Sequence, residues 1–299
     1  VSGAGRGSCH ALTSCPCPEG CTHSDNSDTS GLRFQGSSHV IFGDGTIVQT
    51  AVVAMGDNPA LPCASSAVAF VSRDGGTRFT YQGTMAAAGD NKWSQEGPGG
   101  EHDCVLVDFG QLFCVLRTDG GDGPNGQRLP YYWTTSLDAG RTWSPLAVLN
   151  GTGSARPRLL QLGDGFGPLV LSGGRMKDAA NNISQTFDNN LWVNFAGIKG
   201  YPPSRPLPAW EMWAVSYLHN SLTPASAPKF TNEVNETTGN GYPGYVGYAE
   251  TSSYTSLQQV DKCSFVLFYT LRLKSLGAQA YSMRVDIHAN EGGEAGIHC

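Results

Sequence analysis

The residues of this sequence best suited to bind metals or form cross-links are its nine cysteines and seven histidines. The histidines show no HxH or HExxH spacing, so we predict no metal site and no cofactor. Four cysteines crowd the first 21 residues without the CxxC pairs of a zinc site, which favours a disulfide-linked segment. They are Cys9, Cys15, Cys17 and Cys21. Because the cysteine count is odd, at least one thiol is free, bonded to another chain, or bonded to a residue outside this sequence.

A predicted disulfide and three glycosylation acceptor sites fit a secreted or cell-surface glycoprotein. Cys104 and Cys114 lie symmetrically about Phe109, so a hairpin centred there would place them opposite each other, and in an oxidising compartment we predict a disulfide between them. No window approaches about 18 consecutive apolar residues, so no transmembrane helix is expected. Three tripeptides are acceptor sites for N-glycosylation, at Asn150, Asn182 and Asn235.

The composition favours a protein rich in turns. There are 39 glycines and 17 prolines among 299 residues. Charged residues make up 15%, against about 25% in an average globular protein. The net charge of −6 argues against a nucleic-acid binder with a basic surface, and leaves an acidic lectin, a hydrolase and a structural β protein as candidates. The first residue is Val rather than Met, so we expect a processed or excised product.

The chain divides by pattern into an arm, a domain and a tail. Residues 1–31 are rich in Ser, Gly, Cys and Pro and have no periodic apolar pattern, which predicts an irregular arm. From Leu32 onward, short apolar runs are broken by Gly or Asp-Gly about every 8 to 12 residues, a spacing typical of an all-β sandwich, barrel or propeller. We expect one β domain over residues 32–287 and a tail over 288–299.

An internal repeat narrows the fold to a propeller. A second hairpin signal, Ser72–Phe79, begins 27 residues after Gly45, and a similar one, Ser136–Trp143, begins 26 residues after Gly110. Leu191–Asn194 stands where a third would fall, without its Asp. Two hairpins per unit, repeated at about 55 to 65 residues, predict four-stranded blades. The first hairpins of these units are Val40–Val48, Val105–Phe113 and Leu159–Val170, with turn glycines Gly45, Gly110 and Gly165.

The second hairpin signal has the pattern Ser-x-Asp-x-Gly with an aromatic residue three positions after the Gly, and its residue types suit a structural role. Asp74 and Asp138 can accept hydrogen bonds from the backbone of their own turns, and the glycine two residues later can adopt a positive φ. The aromatic residue can fill the space between neighbouring sheets. Two copies at matched offsets predict structural Asp turns rather than catalytic residues.

From about Leu32 to Arg284 the sequence resembles the sialidase (neuraminidase) superfamily. The stretch EHDCVLVDFGQLFCVLR at residues 101–117, followed by Ser136-Leu-Asp138, resembles the family's succession of catalytic Glu, hairpin, substrate-binding Arg and Asp box. The resemblance implies a six-bladed β-propeller of four-stranded antiparallel blades, an exo-glycosidase activity on terminal acidic sugars, and a glycan or glycoprotein partner. The roughly 268 residues beyond the arm are few for six full blades, so we expect a missing segment to supply part of the propeller.

The resemblance also implies roles for individual residues. A sialic acid carries a carboxylate on its anomeric carbon, which guanidinium forks bind and which repels a carboxylate nucleophile, so sialidases use Tyr. By resemblance, Tyr254 in SSYTSL is the nucleophile and Glu101 its base. Arg117, and Arg175 in LSGGR, would hold the substrate carboxylate, and Asp57 in GDNP would act as acid and then base.

Two departures keep a second interpretation open. Gln35 in FQGSS occupies the place of the family's first substrate-binding Arg, although Arg33 would emerge on the same strand face. Thr270 follows Tyr269, where many members place a Glu. The alternative is therefore a sialidase-fold propeller that has lost activity and serves as a glycan-binding or structural module of an extracellular assembly.

Each candidate residue also has an ordinary structural interpretation. Glu101 can be a solvated carboxylate at a strand entry, Arg117 half of a structural ion pair, and Tyr254 a half-buried strand aromatic. Asp57 can belong to an ordinary turn. For Arg156 and Arg158, in Ala-Arg-Pro-Arg-Leu ahead of a hairpin strand, the structural role is the one we predict.

Overall fold

A computed structural model of the protein describes residues 32–33, 39–54, 65–87, 101–107, 110–117, 130–152, 155–163, 167–174, 177–178, 183–184, 189–195, 210–216, 221–224, 249–250, 254–273 and 277–287. The regular structure in these ranges consists of β-strands that pair antiparallel. Within the same ranges, no helix has the length and apolarity needed to cross a membrane. The all-β class predicted from the turn spacing is therefore observed.

The chain falls into two compact units. The first unit comprises Val1–Leu106, Gly110–Gln127 and Tyr132–Val148, and the second comprises Val107–Phe109, Arg128–Tyr131 and Leu149–Cys299. In the described parts of the chain, the strands of the first unit form two sheets and those of the second form three.

The first sheet of the first unit is built around the hairpin predicted at Gly45. Val40 pairs with Val48, and Gly45 has a φ of 82°, so that hairpin is confirmed. The strand order is β1-β3-β4-β5, with β2 also paired to β3. The strands are β1 (Leu32–Arg33), β2 (His39–Ile41), β3 (Ile47–Ala54), β4 (Ser65–Ser72) and β5 (Thr80–Ala86).

The second sheet of the first unit contains the hairpin predicted at Gly110, which is also confirmed. Its strands, in spatial order, are β6 (His102–Val107), β7 (Gln111–Leu116), β8 (Tyr132–Ser136) and β9 (Ala147–Val148). Gly110 has a φ of 106° between β6 and β7. All six residues of β7 are buried, which explains why its sequence is a continuous apolar run rather than an alternating one.

Apolar residues from both sheets form one core in the first unit. The apolar positions of β4, β7 and their neighbours pack together, so the two sheets share a buried interior. Trp143, from the second Asp turn, packs against this core as expected, whereas Phe79, the aromatic residue of the first Asp turn, is exposed. The buried members are Val40, Val48, Ala67, Ala69, Val71, Met85, Ala86, Cys104, Leu112, Cys114, Leu116 and Leu146.

The second unit contains a five-stranded sheet with the predicted Leu159–Val170 hairpin. Leu160 pairs with Val170, which confirms the hairpin, while its expected turn residue Gly165 lies outside the described residues. The predicted third turn position, Leu191–Asn194, is instead the end of a strand. The spatial order is β10 (Ala155–Gln161), β11 (Leu169–Gly174), β14 (Asn189–Asn194), β15 (Glu211–Ser216) and β16 (Ser221–Pro224); β12 (Lys177–Asp178) and β13 (Ile183–Ser184) form a separate pair.

The last sheet of the second unit is centred on a long strand, β19 (Ser264–Leu273). Leu257 of β18 pairs with Leu267 of β19. Strand β20 pairs with β19 along its full length. Tyr281, Met283 and Val285 alternate with polar residues there, a strand pattern that the sequence analysis did not use. The other strands are β17 (Ala249–Glu250), β18 (Thr255–Asp261) and β20 (Gly277–Asp286).

Gly83 in β5 is a position where an added methyl group should destabilise the fold. A Cβ there would lie 2.6 Å from the carbonyl oxygen of Gly140, and it would also clash with that of Arg141. Because the obstacle is backbone, we expect Gly83→Ala to lower the free energy of unfolding by about 1–3 kcal/mol, measured by urea denaturation. Gly43→Ala is the matched control, since no atom lies within 4 Å of a Cβ there, and should change it by less than about 0.5 kcal/mol. Equal losses for both variants would contradict the steric argument.

Candidate functional site

The two Asp turns have the same hydrogen bonds at equivalent positions. In the first, Ser72 Oγ and the Arg78 N–H donate to Asp74 Oδ1 at 2.8 and 2.9 Å. In the second, Ser136 Oγ and the Thr142 N–H donate to Asp138 Oδ1 at 2.9 and 2.8 Å. The glycines two residues after each Asp have φ angles of 89° and 86°. Both carboxylates are therefore used within their own turns.

These bonds also hold the Asp carboxyls in the charged form. The N–H of Arg78, followed by the Ser72 hydroxyl, lowers the pKa of Asp74 below its ordinary value of 3.8. Partial burial raises the pKa of Asp138, but the donors of Thr142 and Ser136 outweigh it and the net shift is downward. Because the folded pKa is lowered, this stabilisation is present above the unfolded carboxyl pKa and is lost as the pH falls through the folded value.

Two cysteines link the strands that lead to the candidate catalytic Glu. Cys104 in β6 and Cys114 in β7 form a disulfide, with their Cα atoms 4.1 Å apart and both residues buried. Among the described cysteines, Cys263 has a free thiol, and its pKa is raised by burial and by the neighbouring Asp261 carboxylate. The disulfide links β6 to β7. Cys104 lies three residues after Glu101, and Cys114 lies three residues before Arg117.

Glu101 and Arg117 form a buried ion pair at the open end of the β6–β7 hairpin. Glu101 directly precedes β6 and Arg117 directly follows β7, so antiparallel pairing places them opposite each other. The Arg117 N–H donates to the Glu101 carbonyl at 2.9 Å, and Arg117 Nη1 donates to Glu101 Oε2 at 2.6 Å. The two side chains are only 5% and 9% exposed. Such a charge-assisted bond orients both groups.

Burying the Glu101–Arg117 pair carries a large desolvation free energy. Removing a carboxylate and a guanidinium from water costs several kcal/mol per ion, and their mutual attraction repays this only in part. The guanidinium of Arg117 has five N–H donors in a planar fork, a geometry suited to carboxylates. The first unit therefore has an oriented, buried carboxylate beside a guanidinium.

His102, next to Glu101, is a polar contact that the sequence analysis missed. Its Nε2 lies 2.7 Å from Thr50 Oγ1 of β3, and both residues are almost fully buried. No spacing in the sequence relates residue 102 to residue 50, so this contact has no local signal. The bond fixes the start of β6 against β3 and so supports the position of Glu101. No group of three or more His, Cys, Asp or Glu side chains among the described residues is arranged to hold a metal.

Tyr254, the candidate nucleophile, directly precedes β18 in the second unit and is accessible. Its side chain is 39% exposed. The guanidinium carbon of Arg156 lies 5.6 Å from the centre of its ring, within the range of a cation–π contact. The next residue, Thr255, is buried, and its Oγ1 is 2.5 Å from Ser172 Oγ on β11. The backbone on one side of Tyr254 is thus anchored while its ring faces a cation.

The contact between the Thr255 and Ser172 hydroxyls lies at one end of an apolar interface between two sheets of the second unit. Leu160, Val170 and Leu191 pack with Leu257 and Leu267 along β10, β11, β14, β18 and β19. Further toward the start of β18, the same face becomes polar, because Arg158 pairs with Ser172 and Ser172 contacts Thr255. The polar residues Arg158, Ser172 and Thr255 therefore continue the interface toward the Tyr254 end of β18.

The remaining predicted residues are placed as follows. Asn150 is exposed in the turn after β9, where an acceptor side chain is accessible. Arg33 lies in β1 opposite Val52, and Thr270 lies in β19 opposite Ala280. Glu101 and Arg117 belong to the first unit and Tyr254 to the second. The predicted residues that lie outside the described ranges are Gln35, Asp57, Arg175, Asn182 and Asn235.

Comparison with known proteins relates the fold to glycoside hydrolases. No protein-family model matches the chain, and no curated protein matches it in sequence. Among solved structures, a protein of unknown function from Dyadobacter fermentans is similar at 16% identity and a TM-score of 0.54, over 86% of this chain and 54% of that one. The intramolecular trans-sialidase from Ruminococcus gnavus, in complex with oseltamivir carboxylate, is similar at 18% identity and a TM-score of 0.50, over 84% and 43%.

Arabinan-degrading enzymes also appear among the structural neighbours. An α-L-arabinanase from Penicillium chrysogenum is similar at 14% identity and a TM-score of 0.45, over 85% of this chain and 67% of that one. The chain spans about half the length of the first two solved structures. At these identities the likeness concerns the fold, which is all-β and glycoside-hydrolase-like.

Proposed function

We propose that the chain is a sialidase-like exo-glycosidase that removes terminal acidic sugars from glycoconjugates with retention of configuration. The observation that supports this most is the buried Glu101–Arg117 pair, which sets a carboxylate beside an anion-binding fork at a strand end, where nothing in strand formation requires either charge. Tyr254 adds an accessible phenol beside a guanidinium. These residue types match the chemistry of a sugar whose anomeric carbon bears a carboxylate.

The proposed reaction has two displacement steps. Tyr254 Oη attacks the anomeric carbon, its proton passes to Glu101, and the bond from that carbon to the leaving oxygen breaks while Asp57 protonates the oxygen. Water then attacks the anomeric carbon, giving its proton to Asp57, and the tyrosine oxygen leaves and recovers its proton from Glu101. Arg117 and Arg175 hold the substrate carboxylate throughout. Two inversions give net retention.

We extend the proposal to the whole domain and its location. The blade-sized antiparallel sheets and the two Asp turns at matched offsets support a six-bladed, sialidase-like propeller over residues 32–287, incomplete in this chain, between an arm at 1–31 and a tail at 288–299. The disulfide between Cys104 and Cys114 and the exposed Asn150 sequon support a secreted or cell-surface glycoprotein that acts on glycans or glycoproteins.

A second function, glycan binding without turnover, is favoured by one specific observation. Arg117 already donates a 2.6 Å bond to Glu101, so its guanidinium is bonded to a carboxylate of the protein itself. Together with Gln35 at the place of an expected Arg, this supports a propeller that kept the scaffold and lost the chemistry, serving as a glycan-binding or structural module of an extracellular assembly.

A substrate pair with different charge tests the proposal. We expect the protein to hydrolyse a fluorogenic α-sialoside and to leave a fluorogenic α-L-arabinofuranoside intact, because the neutral sugar lacks the carboxylate that the arginines would bind. Proton NMR of the first product should show the anomer of the substrate. No turnover of the sialoside, combined with saturable binding of sialyllactose by calorimetry, would reject the enzyme and favour the binding module. Hydrolysis of the neutral sugar alone would reject both acidic-sugar proposals.

A further inference from the structure

We infer that Arg156 is a positioning residue for Tyr254, which it acts on by holding the phenol ring and stabilising the phenolate. The inference rests on the proposed function, since it names a residue that acts through the proposed nucleophile. The sequence analysis predicted a structural role for Arg156, but its guanidinium carbon lies 5.6 Å from the centre of the ring of the candidate nucleophile Tyr254.

The position of Arg156 follows from the strands of the second unit. β10 pairs with β11 through Arg158 and Ser172, with a register shift between residues 155 and 158 that changes the path of the chain at Arg156. Ser172 in turn contacts Thr255, the residue after Tyr254, at 2.5 Å. Arg156 and Tyr254 are therefore the outer ends of two strands that are connected through Ser172.

The local charges favour the ionised phenol. A cation stabilises a neighbouring anion, and the effect is larger when the site is partly shielded from water. Of the elements packed against β18, β10 has Arg156 and Arg158, β11 has no titratable side chain, and β19 has Tyr269 opposite Thr255. Further along β19, Arg272 is paired in register with Glu250 of β17, so these two residues add no net charge. Asp261 and Lys262 lie at the opposite end of β18.

The arrangement also limits the freedom of the ring. A guanidinium within cation–π range of one ring face restrains that ring, and Tyr254 has a buried neighbour that anchors its backbone. A nucleophile held in one orientation loses less entropy on reaction than a freely rotating one. Arg156 would thus act on both the ionisation and the orientation of Tyr254 without contacting the reacting carbon.

Spectrophotometric titration of a single tyrosine tests the inference without substrate. The protein has 11 tyrosines, so the phenolate absorbance of Tyr254 is obtained as the difference between the parent protein and Tyr254→Phe. In Arg156→Gln and Arg156→Met we expect about a tenfold smaller phenolate fraction of Tyr254 at a given pH below the titration midpoint. Arg156→Lys retains the charge and should recover most of that loss. Using two charge-removing variants protects the result against a folding defect in one of them.

Arg284→Gln is the matched control. It also removes one positive charge from the second unit, but at an exposed side chain bonded to Asp261 and Asp286. It should therefore leave the titration of Tyr254 unchanged. An unchanged titration in folded Arg156→Gln and Arg156→Met, or an equal change in Arg284→Gln, would overturn the inference.

The outcome is separable from that of the proposed function. If Arg156→Gln shifts the titration but the parent hydrolyses no sialoside, the contact acts as inferred and the glycosidase proposal fails. If the parent is active, kcat of Arg156→Gln should fall about tenfold with little change in KM, because Arg156 acts on the nucleophile. An active parent with an unshifted titration would leave the function standing and reject the role of Arg156.

Discussion

Tyr254→Phe is expected to lower kcat on a sialoside by a factor on the order of 10³ or more, because it removes the only atom of the side chain able to attack the anomeric carbon. The ring itself remains, so its contact with Arg156 and the anchoring of Thr255 should be retained. We therefore expect the unfolding midpoint in urea to stay within experimental error of the parent. Steady-state kinetics with a fluorogenic α-sialoside measure the effect.

Tyr281→Phe is the control for the loss of a tyrosine hydroxyl. Tyr281 is 38% exposed, almost the same as the 39% of Tyr254, and it lies in the same unit, stacked on Tyr269. Its hydroxyl has no role in the proposed reaction, so kcat should be unchanged. If Tyr254→Phe kept more than about a tenth of parental activity, the nucleophile would have to be another group.

The second large effect concerns stability. We expect Arg117→Met to reduce the free energy of unfolding by about 3–5 kcal/mol at neutral pH, because it leaves the buried carboxylate of Glu101 without its 2.6 Å partner. Adding Glu101→Leu should restore much of the loss, since replacing a buried pair by apolar groups of similar volume is often neutral. Urea denaturation of both single variants and the double variant gives the coupling energy.

An exposed ion pair provides the comparison. Arg284 bonds to Asp261 and Asp286 at 3.2 and 2.9 Å, but its side chain is 56% exposed. Arg284→Met should therefore cost no more than about 1 kcal/mol. If Arg117→Met cost no more than Arg284→Met, or if the double variant were as unstable as the sum of its parts, Glu101 and Arg117 would not be energetically coupled.

Local signals in the sequence were sufficient for the hairpins. Gly45 and Gly110 adopt positive φ angles between paired strands, because glycine is tolerated there and apolar residues flank it on both sides. Glu101 and Arg117 lie at equal distances from the centre of the β6–β7 hairpin, so antiparallel pairing places them opposite each other. Strand β20 has a comparable local signal, because Met283 and Val285 alternate with Ser282, Arg284 and Asp286 and pack against the core.

The sequence therefore specified the strands, the turns that join them and the residues that each hairpin brings face to face, because these depend on spacings of a few residues. The contacts between strands far apart in the chain needed the folded protein. His102 meets Thr50 across 52 residues, and Thr255 meets Ser172 across 83. Such contacts depend on how apolar faces pack and where a strand changes register, as β10 does before Arg158. The approach of Arg156 to Tyr254 is a product of that packing, which no spacing in the sequence records.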